Sequence, residues 1–223
     1  MINIKDNLAK VEQQIKQACQ LANRDASQVQ LLAVSKTKPN AQIEQAYFAG
    51  QRQFGESYIQ EAVDKIEALP HLPEIVWHFI GPIQSNKTKY IASHFSWVHS
   101  VDRVKIAQRL NEQRGSEDTP LNVCLQVNIS DESSKSGVSL DKLAELAANV
   151  ASLPNLSLRG LMAIPEKNAS DESFLKMQQV FIEYQKKYPT IDTLSMGMSA
   201  DLTPAIAAGS TMVRIGSAIF GSR

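Results

Sequence analysis

Leu121-Asn122-Val123-Cys124-Leu125-Gln126-Val127-Asn128-Ile129 is the longest β-favouring run in the chain, and its parity decides the fold. Successive side chains of a strand point to opposite faces. Val123, Leu125, Val127 and Ile129 therefore share one face, and Cys124, Gln126 and Asn128 share the other. A wholly aliphatic face suits contact with a layer of helices. Polar groups converging on the opposite face suit the inside of a closed parallel barrel, near the mouth at the strand's C-terminal end.

Working outward, the same alternation of short β-like runs and helical stripes recurs on both sides. Upstream come strands at Leu31–Val34, Gln53–Ser57, Ile75–Gly81 and Phe95–Val101, separated by helical segments around Ile43–Ala49, Ile59–Leu69, Gln84–His94 and Arg103–Gly115. Downstream come Leu156–Ile164, Thr193–Gly197 and Thr211–Ser217, interleaved with helices over Leu140–Leu153, Asp171–Tyr188 and Leu202–Ala208, and then a brief tail from Ala218. Ile4, Leu8, Val11, Ile15, Ala18 and Ala22, spaced by fours and threes, make an extra amphipathic helix before the first strand. Eight strands alternating with helices predict an α/β protein with a (β/α)8 TIM barrel. The other arrangement considered, a doubly wound open sheet, usually shows a glycine-rich turn after its first strand, which Val34-Ser35-Lys36-Thr37 is not. No linker rich in Gly, Ser or Pro interrupts the pattern, so residues 1–223 are expected to form a single domain.

Composition narrows the function. Twenty-three basic residues balance twenty-three acidic ones, which gives no broad electrostatic footprint for nucleic acid. Cys19 and Cys124 are isolated, without metal-ligand spacing, and fit a reducing compartment. Met1 to Asp25 carries charges throughout and no apolar run approaches a membrane span, so a cytoplasmic protein without membrane attachment is expected.

The first strand, Leu31-Leu32-Ala33-Val34, delivers Lys36 to its exit and stops at Pro39. An isolated Lys-x-Lys after a strand is ordinarily a solvated turn. At the rim of a closed site the same lysine offers an amine that can form a Schiff base with an aldehyde. Closing the barrel sets the eighth strand beside the first, which brings Arg214 and the Gly216-Ser217 turn next to Lys36. Ser195 to Asp201 leaves the seventh strand and enters a helix with Ser199 or Asp201 as N-cap, and its free N–H groups suit either ordinary capping or a phosphate. Arg214 interrupts an otherwise apolar strand, and a buried arginine needs an acceptor. An ion pair with Glu56 or Asp201 would supply one. So would the ring nitrogen of a bound pyridine, and an aldehyde-bearing pyridine with a phosphate tail also requires the lysine.

The blocks Ala33–Pro39, Phe54-Gly55-Glu56, Trp77–Gly81, Gln84–Lys87, Gln126-Val127-Asn128, Gly160-Leu161-Met162, Ser195–Ser199 and Val213–Gly216 together resemble the pyridoxal phosphate homeostasis protein family, in order and over nearly the entire chain. That resemblance implies the fold-type III barrel of the alanine racemase N-terminal domain, with pyridoxal 5′-phosphate as cofactor. It implies that Lys36 forms the Schiff base, that Arg214 faces the pyridine nitrogen, and that Ser199 with the Gly216 and Ser217 backbone holds the phosphate. Lys38 and Lys135 match further family lysines that assist binding or transfer, and Ser57, His78, Met162 and Met198 are candidates for the pocket. A strand histidine is, on its own, more often a satisfied core residue. The sequence departs from the family at Ser57, where asparagine is usual, and at Pro82, where histidine is common.

The resemblance also frames the function. The related racemases complete their substrate pocket with a further β-domain and a partner subunit, whereas this sequence stops at Arg223, just after the eighth strand. The expectation is a monomeric, non-catalytic carrier that holds the cofactor and supplies it to apo-enzymes. The alternatives are a fold-type III enzyme such as an amino-acid racemase, and a barrel that binds a phosphorylated metabolite without a covalent link.

Overall fold

Asn3 starts the first helix, its side chain accepting the Asp6 N–H at 3.2 Å, so one of the orphan donors of the opening turn is satisfied. This helix, α1 (Ile4–Leu21), buries Ile4, Leu8, Val11, Ile15 and Ala18 along the expected stripe. The computed structural model describes residues 3–116, 118–130, 136–165 and 171–222. After α1 the elements run β1 (Gln30–Val34), α2 (Asn40–Phe48), β2 (Gln53–Glu56), α3 (Ile59–Ala68), β3 (Val76–Phe79), α4 (Thr88–His94), β4 (Trp97–Val101) and α5 (Val104–Gln113). They continue β5 (Leu121–Val127), α6 (Leu140–Ala151), β6 (Leu156–Ala163), α7 (Asp171–Lys187), β7 (Thr193–Ser195), α8 (Leu202–Ala207), β8 (Met212–Ile215) and α9 (Ser217–Phe220).

All neighbouring strands are parallel, and β8 pairs with β1 to close a barrel in the order β1 to β8. The parity of β5 holds: Val123, Leu125, Val127 and the following Ile129 join the apolar layer between strands and helices, together with Ala33, Phe54 and Phe79 from their own strands. Leu32, His78, His99, Cys124 and Met162 are buried but lie outside that layer. Between β5 and β6 the register shifts, with Val123 opposite Leu158 and Cys124 opposite Gly160, so Arg159 is an extra residue. The bulge sends its guanidinium over the Trp97 ring at 4.8 Å and to Asp192, stoppering the end of the barrel away from the mouth.

Two local features depart from the sequence expectation. The segment starting at Gln84 is a single 3-10 turn, Ser85–Lys87, before α4 begins at Thr88. Ser217, read as the end of the eighth strand, and the first tail residues form α9, whose four positions are too few for a periodic stripe. Several strands also stop short of their apolar runs. For β7 the cause is visible, since Gly197 takes φ +101°, a left-handed conformation that ends the strand and turns the chain toward α8. Among the described residues, no helix is long and apolar enough to cross a membrane.

Candidate functional site

At the C-terminal mouth of the barrel lies a cavity of about 440 Å³, lined by Lys36, Lys38, Ser57, Met198, Ser199, Arg214, Gly216 and Ser217, with Val34, Thr37, Ile80, Ile164, Ala200, Gly221 and Ser222. Eight residues singled out from sequence therefore meet in one place. The pairing explains it: Leu32 lies opposite Arg214 on the β1–β8 ladder, Val34 continues along the same side of β1 toward the mouth, and the turn carrying Lys36 follows directly.

Lys36 is presented by a turn that is fastened from behind. Thr37 has φ +64°, a left-handed conformation costly for a β-branched residue, and its N–H is held by Glu61 Oε1 at 2.5 Å. Lys65 on α3 donates to Glu61 Oε1 at 2.5 Å, to Glu56 Oε1 at 2.9 Å and to the Ser35 carbonyl at 2.7 Å. The Ser35 hydroxyl donates to Glu56 Oε1 at 2.7 Å. Burial raises the Glu56 carboxyl above its ordinary pKa, with the Lys65 ammonium working against the rise, and Oε2 is buried without a partner among the described residues. This cluster sits between barrel and helix layer and ties up the backbone on either side of Lys36. Among the described residues, the Lys36 ammonium itself makes no hydrogen bond or ion pair.

Arg214 is 5 % exposed and has no carboxylate within ion-pair distance among the described residues. Its NH1 donates to the Ser195 carbonyl at 2.6 Å and the Ser195 hydroxyl at 2.9 Å, and its NH2 donates to the Ala163 carbonyl at 3.0 Å. An ion pair with Glu56 or Asp201, one of the two acceptors the sequence suggested, is absent. Glu56 shares the parity of Phe54 and faces Lys65 in the helix layer, and Asp201 Oδ1 accepts the Met198 N–H at 2.5 Å. Burial lowers the Arg214 pKa to about 10, with Asp201 opposing the shift, so the buried cation persists at neutral pH. Two of its five N–H donors, on Nε and NH2, have no protein acceptor among the described residues.

Across the cavity, the backbone N–H groups of Ser199, Ala200, Ser217 and Ala218 find no backbone acceptor among the described residues. Asp201 occupies the N-cap position of α8, yet its carboxylate serves Met198 and makes no cap hydrogen bond. Lys38 is engaged differently from Lys36, its ammonium bonding the carbonyls of Phe220, Gly221 and Ser222 at 3.2, 2.9 and 3.1 Å. His78 and Met162 do not line the cavity; both are buried in the barrel interior. Lys135 falls outside the described residues.

A geometry of this kind can be compared with known proteins. The profile of the alanine racemase N-terminal domain family matches residues 7–223. A pyridoxal phosphate homeostasis protein from Escherichia coli K12 is 55% identical over 229 residues, covering 100% of this chain and 98% of that protein. One from Pseudomonas aeruginosa is 56% identical over 227 residues, covering 100% and 97%. The chain belongs to the pyridoxal phosphate homeostasis protein family. Among solved structures, PipY of Synechococcus elongatus with PLP bound is 35% identical and superposes with a TM-score of 0.84 over 98% of this chain and all of that one. Alanine racemase from Corynebacterium glutamicum, at 15% identity, shares the fold alone, with a TM-score of 0.71 over 98% of this chain and 61% of its own.

Among the described residues the donor set fits a phosphorylated pyridine aldehyde: a lysine without a partner, spare guanidinium N–H groups deeper in the cavity, and backbone amides without a backbone acceptor across from them. Several residues that build this arrangement were missed from sequence. Lys65 and Glu61 are an i, i+4 pair, a signal that reads as surface charge until the fold buries it. Ser195 gave less, because its contact with Arg214 depends on which strands become neighbours.

Proposed function

We propose that this protein holds pyridoxal 5′-phosphate through a Schiff base on Lys36, and takes part in cofactor homeostasis in the cytoplasm without catalytic turnover of its own. One observation carries the reading: Lys36, without a partner among the described residues, stands at a cavity of about 440 Å³ that it shares with a buried Arg214 retaining spare donors. The family membership and the PLP-bound relative support it. Arg214 would meet the ring nitrogen. The backbone of Gly216 and Ser217, with Ser199, would hold the phosphate, and Lys38 and Lys135 are proposed to assist binding or transfer. When bound, the cofactor supplies a reactive aldehyde and an electron-withdrawing ring. A fixed cation beside the ring nitrogen keeps that nitrogen unprotonated and weakens the ring as an electron sink.

The cavity also favours storage over turnover. Its ionisable residues, among those described, are Lys36, Lys38 and Arg214, and Lys38 is occupied by three carbonyls. Racemisation needs a second base facing the substrate carbon. Recipients would be apo-enzymes that use the same cofactor.

Borohydride reduction of protein incubated with pyridoxal 5′-phosphate, followed by peptide mapping, should place the adduct on the peptide carrying Lys36, and the unreduced protein should be yellow. No adduct there sinks the proposal. Incubation with single-enantiomer amino acids and chiral analysis should show no turnover at ordinary enzymatic rates, and a racemised product would replace the carrier with an enzyme.

A further inference from the structure

Four polar side chains remain unexplained by the cavity itself, the buried Ser195, His99 and His78 and the half-buried Gln53, and they form one continuous chain ending on Arg214. NH1 of Arg214 lies 2.9 Å from Ser195 Oγ, Ser195 Oγ lies 2.8 Å from His99 Nδ1, His99 Nε2 lies 2.9 Å from His78 Nδ1, and His78 Nε2 lies 2.7 Å from Gln53 Oε1. The His78 ring also stacks on Trp97, with centroids 5.4 Å apart and planes within 12°. Ser195, His78 and His99 have no exposed surface.

Proton positions follow from what each group can do. Arginine only donates, so Ser195 Oγ accepts from it. The serine hydroxyl then has one proton, and among the described residues its other side-chain neighbour is His99 Nδ1. If His99 Nδ1 carried a proton instead, the serine proton would be buried without an acceptor among the described residues, which leaves its desolvation uncompensated. With Nδ1 accepting, neutral His99 carries its proton on Nε2 and donates to His78 Nδ1. His78 must then carry its own proton on Nε2, where Gln53 Oε1 accepts it. Every link is satisfied in that direction, and both imidazoles must be neutral. Burial lowers the His78 pKa to about 3 and holds His99 well below 6.5, the latter with Arg214 nearby as a further cause.

We infer that Ser195, His99, His78 and Gln53 are positioning residues for Arg214, a one-way hydrogen-bond chain that commits NH1 to the barrel and leaves the Nε and NH2 donors for a pyridine-type nitrogen in the cavity. What the chain would serve rests on the function proposed above; its direction does not. His78 was a candidate for direct cofactor contact, and here it acts two hydrogen-bonded side chains away from Arg214.

Two measurements decide it. Long-range nitrogen NMR on the cofactor-free protein should show His78 and His99 as neutral Nε2–H tautomers that do not titrate between pH 5 and 8. Addition of pyridoxal 5′-phosphate should shift the His99 nitrogens although that residue does not line the cavity. Ser195→Ala should weaken cofactor affinity about tenfold, the effect of losing one hydrogen bond to a charged group. The same substitution in an Arg214→Met background should change affinity no further, whereas a merely structural serine would weaken both alike. An Nδ1–H tautomer at His99, a His99 signal unmoved by an added cofactor that binds, or equal Ser195→Ala effects in both backgrounds overturns the inference. Absence of the Lys36 adduct in the same preparation overturns the function proposed above instead, and the tautomers measured without cofactor then decide the chain by themselves.

Discussion

Two buried cations flank the turn that carries Lys36, and they are treated in opposite ways. Lys65, between barrel and helices, has two carboxylates and a carbonyl around its ammonium. Arg214, inside the barrel, has two carbonyls and a hydroxyl but no carboxylate among the described residues. A buried charge is tolerated when paired and hydrogen-bonded, and a protein that needs only stability has no reason to leave one uncompensated. The comparison separates scaffold from site: Lys65 fixes the backbone around Lys36, and Arg214 keeps capacity for something the protein does not itself contain.

The contrast is broken most directly by removing each cation. Lys65→Met leaves Glu56 and Glu61 facing one another without a counter-charge, and should cost about 3–5 kcal/mol in urea unfolding. A loss under 1 kcal/mol would mean that the cluster does not hold the turn. Acid should act next most strongly, and with opposite sign at the two places. His78 and His99 are neutral in the fold, so stability present above the unfolded value of 6.5 should be lost as pH falls below it, by about 1.4 kcal/mol per pH unit for each histidine. Glu56 is raised, so its contribution is fully present below 4.5 and is lost as pH rises through its folded value. Urea midpoints of the unaltered protein, His99→Phe and Glu56→Gln against pH separate the two slopes; an unchanged acid-side slope in His99→Phe would contradict the buried neutral ring.

Arg214→Met should change stability by no more than about 1 kcal/mol, since it removes an uncompensated charge along with three hydrogen bonds, while cofactor affinity falls sharply. Equilibrium unfolding and a spectrophotometric titration on the same samples check both halves. Lys38→Met should have the smallest effect, a few tenths of a kcal/mol, read as faster amide exchange in α9 because three terminal carbonyls lose their donor.

The same contrast shows what a sequence can and cannot carry. Strand order, the exit of Lys36 and the inward parity of Arg214 were legible because they depend on local periodicity and on closure of the barrel. The acceptors of Arg214 were not. The sequence pointed to Glu56 or Asp201, chosen as residue types, whereas two of the acceptors are backbone carbonyls that any residue at 163 or 195 would supply. The hydrogen bond between His78 and His99 was hidden for another reason, since facing rings require the relative stagger of β3 and β4. Glu56 illustrates a third limit: the motif Phe54-Gly55-Glu56 is visible, but that Glu56 turns away from the cavity toward Lys65 follows only from the side of β2 on which it sits.

Lys38 draws Phe220, Gly221 and Ser222 to the rim, so the last described residues form part of the cavity wall. Ser222 therefore lies at the entrance. An affinity tag or fluorescent fusion placed there would hang over the opening and compete for the same carbonyls, and could be mistaken for a binding defect. Probes for this protein belong elsewhere, for instance on the exposed Phe48 at the end of α2, which does not line the cavity.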